Sequence, residues 1–453
     1  MTSQRRGIVS ILALILLALF ATLAVSFAGA TNSTLLKAGN QQDSQTALMQ
    51  AETGLEFYLF LLKKASLPGK SKGQAMLDDL NAWLRNSTDL SGNLGGQAIS
   101  YDGATITVPW IAPQADGGRF SAQITRLEET VIRVRITGQD AQAARSVSMD
   151  FDLAPGRSIV LDYGIASKSA IVLTGNDRIT GANNATEANI LSATYSTATA
   201  VSMTGNARIQ GDVFVSNPSG QVSLTGNVSI GGATGAAVAD HVHVGVGDPE
   251  FPEVDPTVFE PFATNIVDKT TSTSGNKTFT NIRIKAGTNP TFSGNIIVKG
   301  VIFVEKPNKV TFSGNLNFTG VLVTQDAGDG VYTTNTIKFA GNTSTAGVET
   351  LPDTPEFHAL RLMPGSFLLA PGFGVEFTGN FGTANGAIAA DCFKLTGNAG
   401  GTVYGPVINY SDSEFRMTGN ASLVINRSKY SGTPPGLSSP SKLAPDSSSY
   451  TEY

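Results

Sequence analysis

The strongest constraint on this chain is a short motif that returns ten times. An apolar residue, then Thr or Ser, then Gly-Asn, ends at Asn176, Asn206, Asn227, Asn276, Asn295, Asn315, Asn342, Asn380, Asn398 and Asn420; Thr273 stands in for the apolar residue once and Ala340 for the hydroxyl once. The commonest spacing is about 20 residues, the length of one coil of a parallel β-solenoid. After the motif the text tends to run Asn-x-x-apolar-x-Gly-x-apolar-x-apolar, as in Asn206 to Val215 and Asn295 to Val304. Such text gives short alternating strands joined at a glycine. In the motif the apolar residue faces inward, Gly permits positive φ at the corner, and Asn is the other residue most at ease in the left-handed region. Asparagines at the same corner of successive coils stack into a hydrogen-bonded ladder. Ten coils at ~4.8 Å make a rod on the order of 50 Å long. A β-propeller is the competing repeat fold, but each blade needs ~40 to 50 residues and four hairpin-linked strands.

The solenoid is expected over 158–430, with two interruptions where the motif spacing lengthens. One, 232–269, holds Asp240-His241-Val242-His243 and the prolines Pro249 and Pro252; the other, 347–371, holds Pro352, Pro355, His358 and Pro364. Loops extruded from a solenoid commonly carry its binding face. The Ser/Pro-rich end, 431–453, reads as a flexible tail.

The N-terminus adds a second constraint. After Arg5-Arg6-Gly7, no charged residue occurs from Ile8 to Ala30, and such a run spans ~35 Å as a helix, enough to cross a hydrocarbon core. Arginines on its short side alone predict a cytoplasmic N-terminus and an extracytoplasmic remainder. A cleaved signal has a core of only ~7 to 15 residues. Here helical periodicity continues instead, through Ala47, Leu48, Ala51, Leu55, Tyr58, Leu59 and Leu62.

The basic-Gly junction before this helix, then Ala38-Gly39-Asn40-Gln41, then Ala51-Glu52-Thr53-Gly54-Leu55-Glu56, resembles the N-terminal segment of PilX-like type IV minor pilins and pseudopilins. The resemblance covers residues 1–66. It implies cleavage by a prepilin peptidase between Gly7 and Ile8, leaving the helix in the bacterial inner membrane to pack against other pilins or pilus and secretion assembly proteins. The fifth residue of the mature chain is then Leu12, where major pilins carry glutamate, and this fits a minor or accessory subunit.

Between 67 and 157 the pattern fits a small α+β head. Met76, Leu77, Leu80, Trp83 and Leu84 form an amphipathic helix, and period-two strands flank the turn Asp102-Gly103 and continue through Phe120 to Leu153. The expected fold is therefore mainly β: a membrane helix continuing into an amphipathic one, a pilin-like head, and a C-terminal parallel β-solenoid.

Composition narrows the function. Only 15% of residues are charged and the net charge is −5, without the basic stripe of a nucleic-acid binder. The single cysteine, Cys392, permits no internal disulfide and reads as a buried thiol. His241 and His243, at i and i+2, share one strand face and are a weak candidate metal pair, with Asp240, Asp248 or His358 as further ligands. No cofactor motif is present. Acidic residues do not recur at one coil position, so the paired acids of a polysaccharide-degrading solenoid are not expected. The expectation is a non-enzymatic, membrane-anchored protein displaying its solenoid to glycans or envelope surfaces. The alternatives are a non-pilus anchored scaffold and a carbohydrate-active enzyme.

Overall fold

A single helix, Gln4–Lys63, begins the chain, and its 60 residues extend roughly 90 Å. The computed structural model describes residues 4–113, 118–154, 156 and 158–453, and of residues 4–9 the backbone alone. From Ser10 to Leu36 the side chains are exposed on every side, Phe20 at 67% and Phe27 at 73%. A helix apolar all round is suited to lipid, and this one is long and apolar enough to cross a membrane. Further along, burial contracts to one stripe, Ala47, Ala51, Leu55, Tyr58 and Leu62.

That stripe packs on a seven-stranded antiparallel sheet. Its order is Ser66–Leu67, Ser441–Glu452, Ala143–Ala154, Val131–Asp140, Arg119–Arg126, Thr105–Ile111 and Ser100–Tyr101. Ile132, Val134 and Ile136 point into the core between Arg133 and Arg135, and Arg133 grips Asp150 on the neighbouring strand at 2.7 and 2.9 Å. Glycines set how close the helix comes. A Cβ on Gly138 would lie 2.1 Å from the Ala47 carbonyl oxygen, and one on Gly54 would lie 2.6 Å from Ile136. The helix Gly73–Asn86 adds Met76, Leu77, Leu80 and Leu84 to this core.

The C-terminal segment is not a flexible tail. Ser441–Glu452 pairs with Ala143–Ala154, Leu443 facing Leu153, while Leu437 is buried against the solenoid and Leu437–Ser438 pairs with Glu253–Val254. Composition misled because an edge-proximal strand buries few apolar side chains. By chain contacts Met1–Pro155 and Ser441–Tyr453 form one compact unit, and Gly156–Pro440 the other. The solenoid is thus an insertion between two adjacent strands of the head sheet.

Within the second unit the coil strands pair in parallel and coil after coil is in register, a solenoid and not a propeller. The inward rows are apolar: Phe292, Phe312, Phe339 and Phe377 stack ring on ring at 5.1, 5.2 and 5.0 Å. One face carries unbroken apolar runs, such as Phe367-Leu368-Leu369-Ala370 and Val301-Ile302-Phe303-Val304. Strands buried on both sides read this way. Their outer side is covered by Val160, Leu161, Phe259, Val348, Leu351, Phe357, Leu360 and Leu437.

The coils do not stack in chain order. Along that face the strands run Val242–Val244, Val213–Val215, Ile190–Ser192, Ile165–Ser167, Val407–Asn409, then those within Ala387–Gly397, Ser366–Phe377, Asn315–Thr324, Thr291–Val304, Ser274–Ile284 and finally Asn265–Val267. The chain enters in the middle, winds to one end, crosses to the other, and winds back until its last coil rests on its first. The crossing segment, 245–264, must span ten strand spacings, roughly 48 Å, within the ~66 Å reach of twenty extended residues.

This path corrects the expected interruptions. Within 232–269, Val242–Val244 and Asn265–Val267 are themselves coil strands; within 347–371, the strand Ser366–Phe377 has already begun. Of the rest, Phe259, Val348, Leu351, Phe357 and Leu360 cover the solenoid's outer face, whereas Val238 joins its inner core. The long gap between Asn227 and Asn276 is the crossing from one end of the stack to the other.

Candidate binding cleft

The expected site residues fall into three groups. Gly7 and Ile8 lie within the first helix, their side chains outside the described residues. Ala38, Gly39, Asn40 and Gln41 are exposed on that helix. Ala51, Gly54 and Leu55 face the head sheet, whereas Glu52 and Glu56 point to solvent.

The motif asparagines lie on the outer surface. Asn206 donates to Asn176 at 2.7 Å, Asn176 to Asn420 at 2.7 Å, and Asn420 to Asn398 at 3.2 Å. A second run passes from Asn342 through Asn315 and Asn295 to Asn276. Asn380 leaves the row, its Oδ1 accepting from its own turn at Gly382, and Asn227 has no ladder bond among those described. Asn176 therefore has Asn420 as a neighbour across 244 residues of sequence. The asparagines do not supply the left-handed corner. Seven of the motif glycines do, with φ from +71° at Gly397 to +119° at Gly175, whereas no motif asparagine has positive φ. Gly314, Gly341 and Gly379 keep ordinary φ but have no room for a Cβ, which would meet a neighbouring glycine carbonyl at 2.1, 1.8 and 2.4 Å.

His241 and His243 converge on one carboxylate rather than on a set of ligands. Asp212 meets His241 Nδ1 at 2.8 Å and His243 Nε2 at 3.2 Å; His358 is paired with Asp353. Among the described residues no group of three metal-ligating side chains is arranged to hold an ion.

A deep concavity lies where the two halves of the solenoid meet. It encloses about 790 Å³, between the turn after the first coil (Asn183, Asn184, Glu187) and the segments Tyr404–Pro406 and Arg427–Pro434. Its frame is rigid. Arg427 donates to the Leu161 carbonyl at 2.6 Å, to the Asp162 carbonyl, and to Asp162 Oδ1 at 3.2 Å. Glu187 accepts from Arg427 N at 2.9 Å, Asn183 N at 2.7 Å and Asn183 Nδ2 at 2.9 Å. Burial pushes the Glu187 carboxyl up, but these donors outweigh it and hold the group below the usual carboxylate range. It stays ionised and supplies no general acid.

Tyr404 and Tyr430 also line the cleft, and Lys429 lies over both rings, at 5.2 Å and 4.9 Å. The ammonium is fixed by Glu349 at 2.9 Å and Asn385 Oδ1 at 2.8 Å, and Tyr430 donates to Glu349 at 2.8 Å. Arg427 in the cleft and Lys429 beside it are thus matched by anions of the same chain, and two aromatic rings stand beside exposed amides and hydroxyls. Sequence reasoning missed this cleft because its parts are turns without a motif, brought together by the order of stacking. The available signal was Asn183-Asn184 and the pair Tyr404 and Tyr430 in polar turn text.

No family model and no curated protein matches the chain. Among solved structures it is similar to the competence-associated pilin ComZ from Thermus thermophilus, at 12% identity over 91% of this chain and 98% of that one, with a TM-score of 0.26.

Proposed function

We propose that this chain is a PilX-like minor pilin or pseudopilin of a type IV pilus or related secretion system. It is anchored by its N-terminal helix in the bacterial inner membrane, N-terminus cytoplasmic, and displays its solenoid for adhesion or for contact with envelope proteins. One observation carries the reading: a single unbroken helix exposes apolar side chains all round from Ser10 to Leu36 and docks the stripe Ala47, Ala51, Leu55, Tyr58 and Leu62 on an antiparallel sheet further along. Its partners are other pilins and assembly proteins, through the exposed half. The test is the N-terminal residue of the mature protein, read by mass spectrometry from a membrane fraction. A chain starting at Ile8 supports prepilin processing; one starting at Met1 or Thr2 makes the helix an ordinary anchor; one starting near Thr31 makes it a cleaved signal.

The rival scaffold, polymerising end to end through the solenoid, is disfavoured by the last coil at one end. There Lys277 occupies the row that Ile296 and Leu316 fill in the next coils, exposed where they are buried at 2% and 3%. An inward-row charge at a sheet edge opposes strand addition. The enzyme reading is less favoured because both carboxylates lining the cleft are engaged within the chain, Glu187 by three N–H donors and Asp162 by Arg427. We therefore take the protein to be a binding and display subunit, not an enzyme.

A further inference from the structure

We propose that the cleft at the coil junction is a saccharide-binding site, taking a short stretch of an uncharged glycan chain. This deepens the display reading above and rests on it for its setting, while the chemistry comes from the cleft alone.

Three features define the ligand. The first is aromatic: the Tyr404 and Tyr430 rings are held by the same ammonium, itself fixed by Glu349 and Asn385. Tyrosine rings that line a cleft offer flat apolar faces, and the C–H faces of a pyranose match them. Leu161, Pro406 and Pro434 extend this apolar lining. The second is polar. Asn184 Oδ1 is occupied by the Glu187 N–H and the Thr186 hydroxyl, which leaves its amide NH2 for a ligand, and the Ser431 and Thr433 hydroxyls stand on the exposed opposite rim. Neutral donors and acceptors around an apolar floor suit vicinal hydroxyls. The third is charge. Arg427 is engaged by Leu161 and Asp162, and Lys429 by Glu349, so no uncompensated cation faces a phosphate or uronate. A volume near 790 Å³ accommodates a few sugar units and is closed to a folded protein.

The test is calorimetric titration of the full-length protein in detergent with neutral hexasaccharides of three linkages: β-1,4-glucan, β-1,4-linked N-acetylglucosamine and α-1,4-glucan. A hexagalacturonate serves as the anionic comparison. Binding of at least one neutral probe is expected, weakened about tenfold by Tyr404→Ala and roughly three- to tenfold by Asn184→Ala. Because Tyr404→Ala disturbs the Lys429 contact, Thr433→Trp is the second variant. It fills the cleft from an exposed position and is expected to abolish binding with an unchanged thermal melt. The proposal is overturned if no neutral probe binds, if only the anionic one does, or if Thr433→Trp binds like the parent. A mature chain starting at Ile8 with no glycan bound removes the saccharide site alone; one starting at Met1 with Thr433-sensitive binding removes the pilin reading alone.

Discussion

Replacing Asp391 by asparagine should stabilise the solenoid at neutral pH and have no effect in acid. Asp391 is 4% exposed; its Oδ1 accepts from Gly372 N at 2.9 Å, and its Oδ2 has no partner. Burial pushes its carboxyl from 3.8 up to about 6, Asp329 and Asp326 adding to the rise while the Gly372 N–H and Lys168 oppose it. The folded state therefore binds this proton more tightly than the unfolded chain. The resulting stability is complete below about pH 4 and is lost as pH rises through about 6. A shift of about two units corresponds to roughly 3 kcal/mol, and relaxation around the charge makes 1 to 3 kcal/mol the working range. Asp391→Asn keeps the acceptor for Gly372 and removes the charge. Both tryptophans, Trp83 and Trp110, lie in the head, so tryptophan fluorescence follows that unit while far-UV circular dichroism follows both. Melts at about pH 4, 6 and 8 should show a solenoid gain of about 2 °C per kcal/mol, largest at about pH 8 and near zero at about pH 4. A gain independent of pH, or a loss at the highest value, would refute the argument.

Further expectations concern packing and the ends of the solenoid. The Tyr58 hydroxyl is buried without a partner in the head core, so Tyr58→Phe should stabilise that unit by about 1 kcal/mol in urea unfolding followed by tryptophan fluorescence. Gly138→Val would drive a side chain into the helix backbone at Ala47 and Ala51; a loss of about 3 kcal/mol or more in the same assay is expected. Truncating the stacked ring of Phe312 to alanine should lower solenoid stability by about 3 to 5 kcal/mol, measured by circular dichroism. Lys277→Ile should turn the capped coil into an adhesive edge, visible as concentration-dependent association in analytical ultracentrifugation. A monodisperse variant would mean that this lysine is not what keeps the end closed.

The repeat made the solenoid legible because each copy encodes its own local geometry: an inward apolar residue, a glycine at the corner, an amide on the rim. Nothing in that text says which copy lies on which. Leu173-Thr174-Gly175-Asn176 and Met417-Thr418-Gly419-Asn420 are chemically interchangeable, and their adjacency follows from where the crossing segment delivers the chain. The head helix and its strands were readable for the same local reason, through the spacing of Ala51, Leu55 and Tyr58 and the alternation around Arg133. Ser441–Glu452 was not, because its pairing is supplied by backbone bonds to Ala143–Ala154 and Leu443 is the one buried large apolar side chain in it. The cleft was invisible for a third reason: Glu187, Tyr404 and Arg427 belong to one site only after distant turns have met.

The order of stacking also governs when the molecule can be finished. Neighbouring coils within each half are tens of residues apart and can form as the chain emerges. The joint between Ile165–Ser167 and Val407–Asn409 must wait until both halves are present, and the head sheet waits longer still, for its C-terminal strand. Contacts so remote in sequence make folding slow. A chain cut short before Ser441 would carry every repeat and still leave Ala143–Ala154 an open edge, inviting another strand to complete it. Integrity of the last dozen residues thus acts as a completeness check on everything made before them.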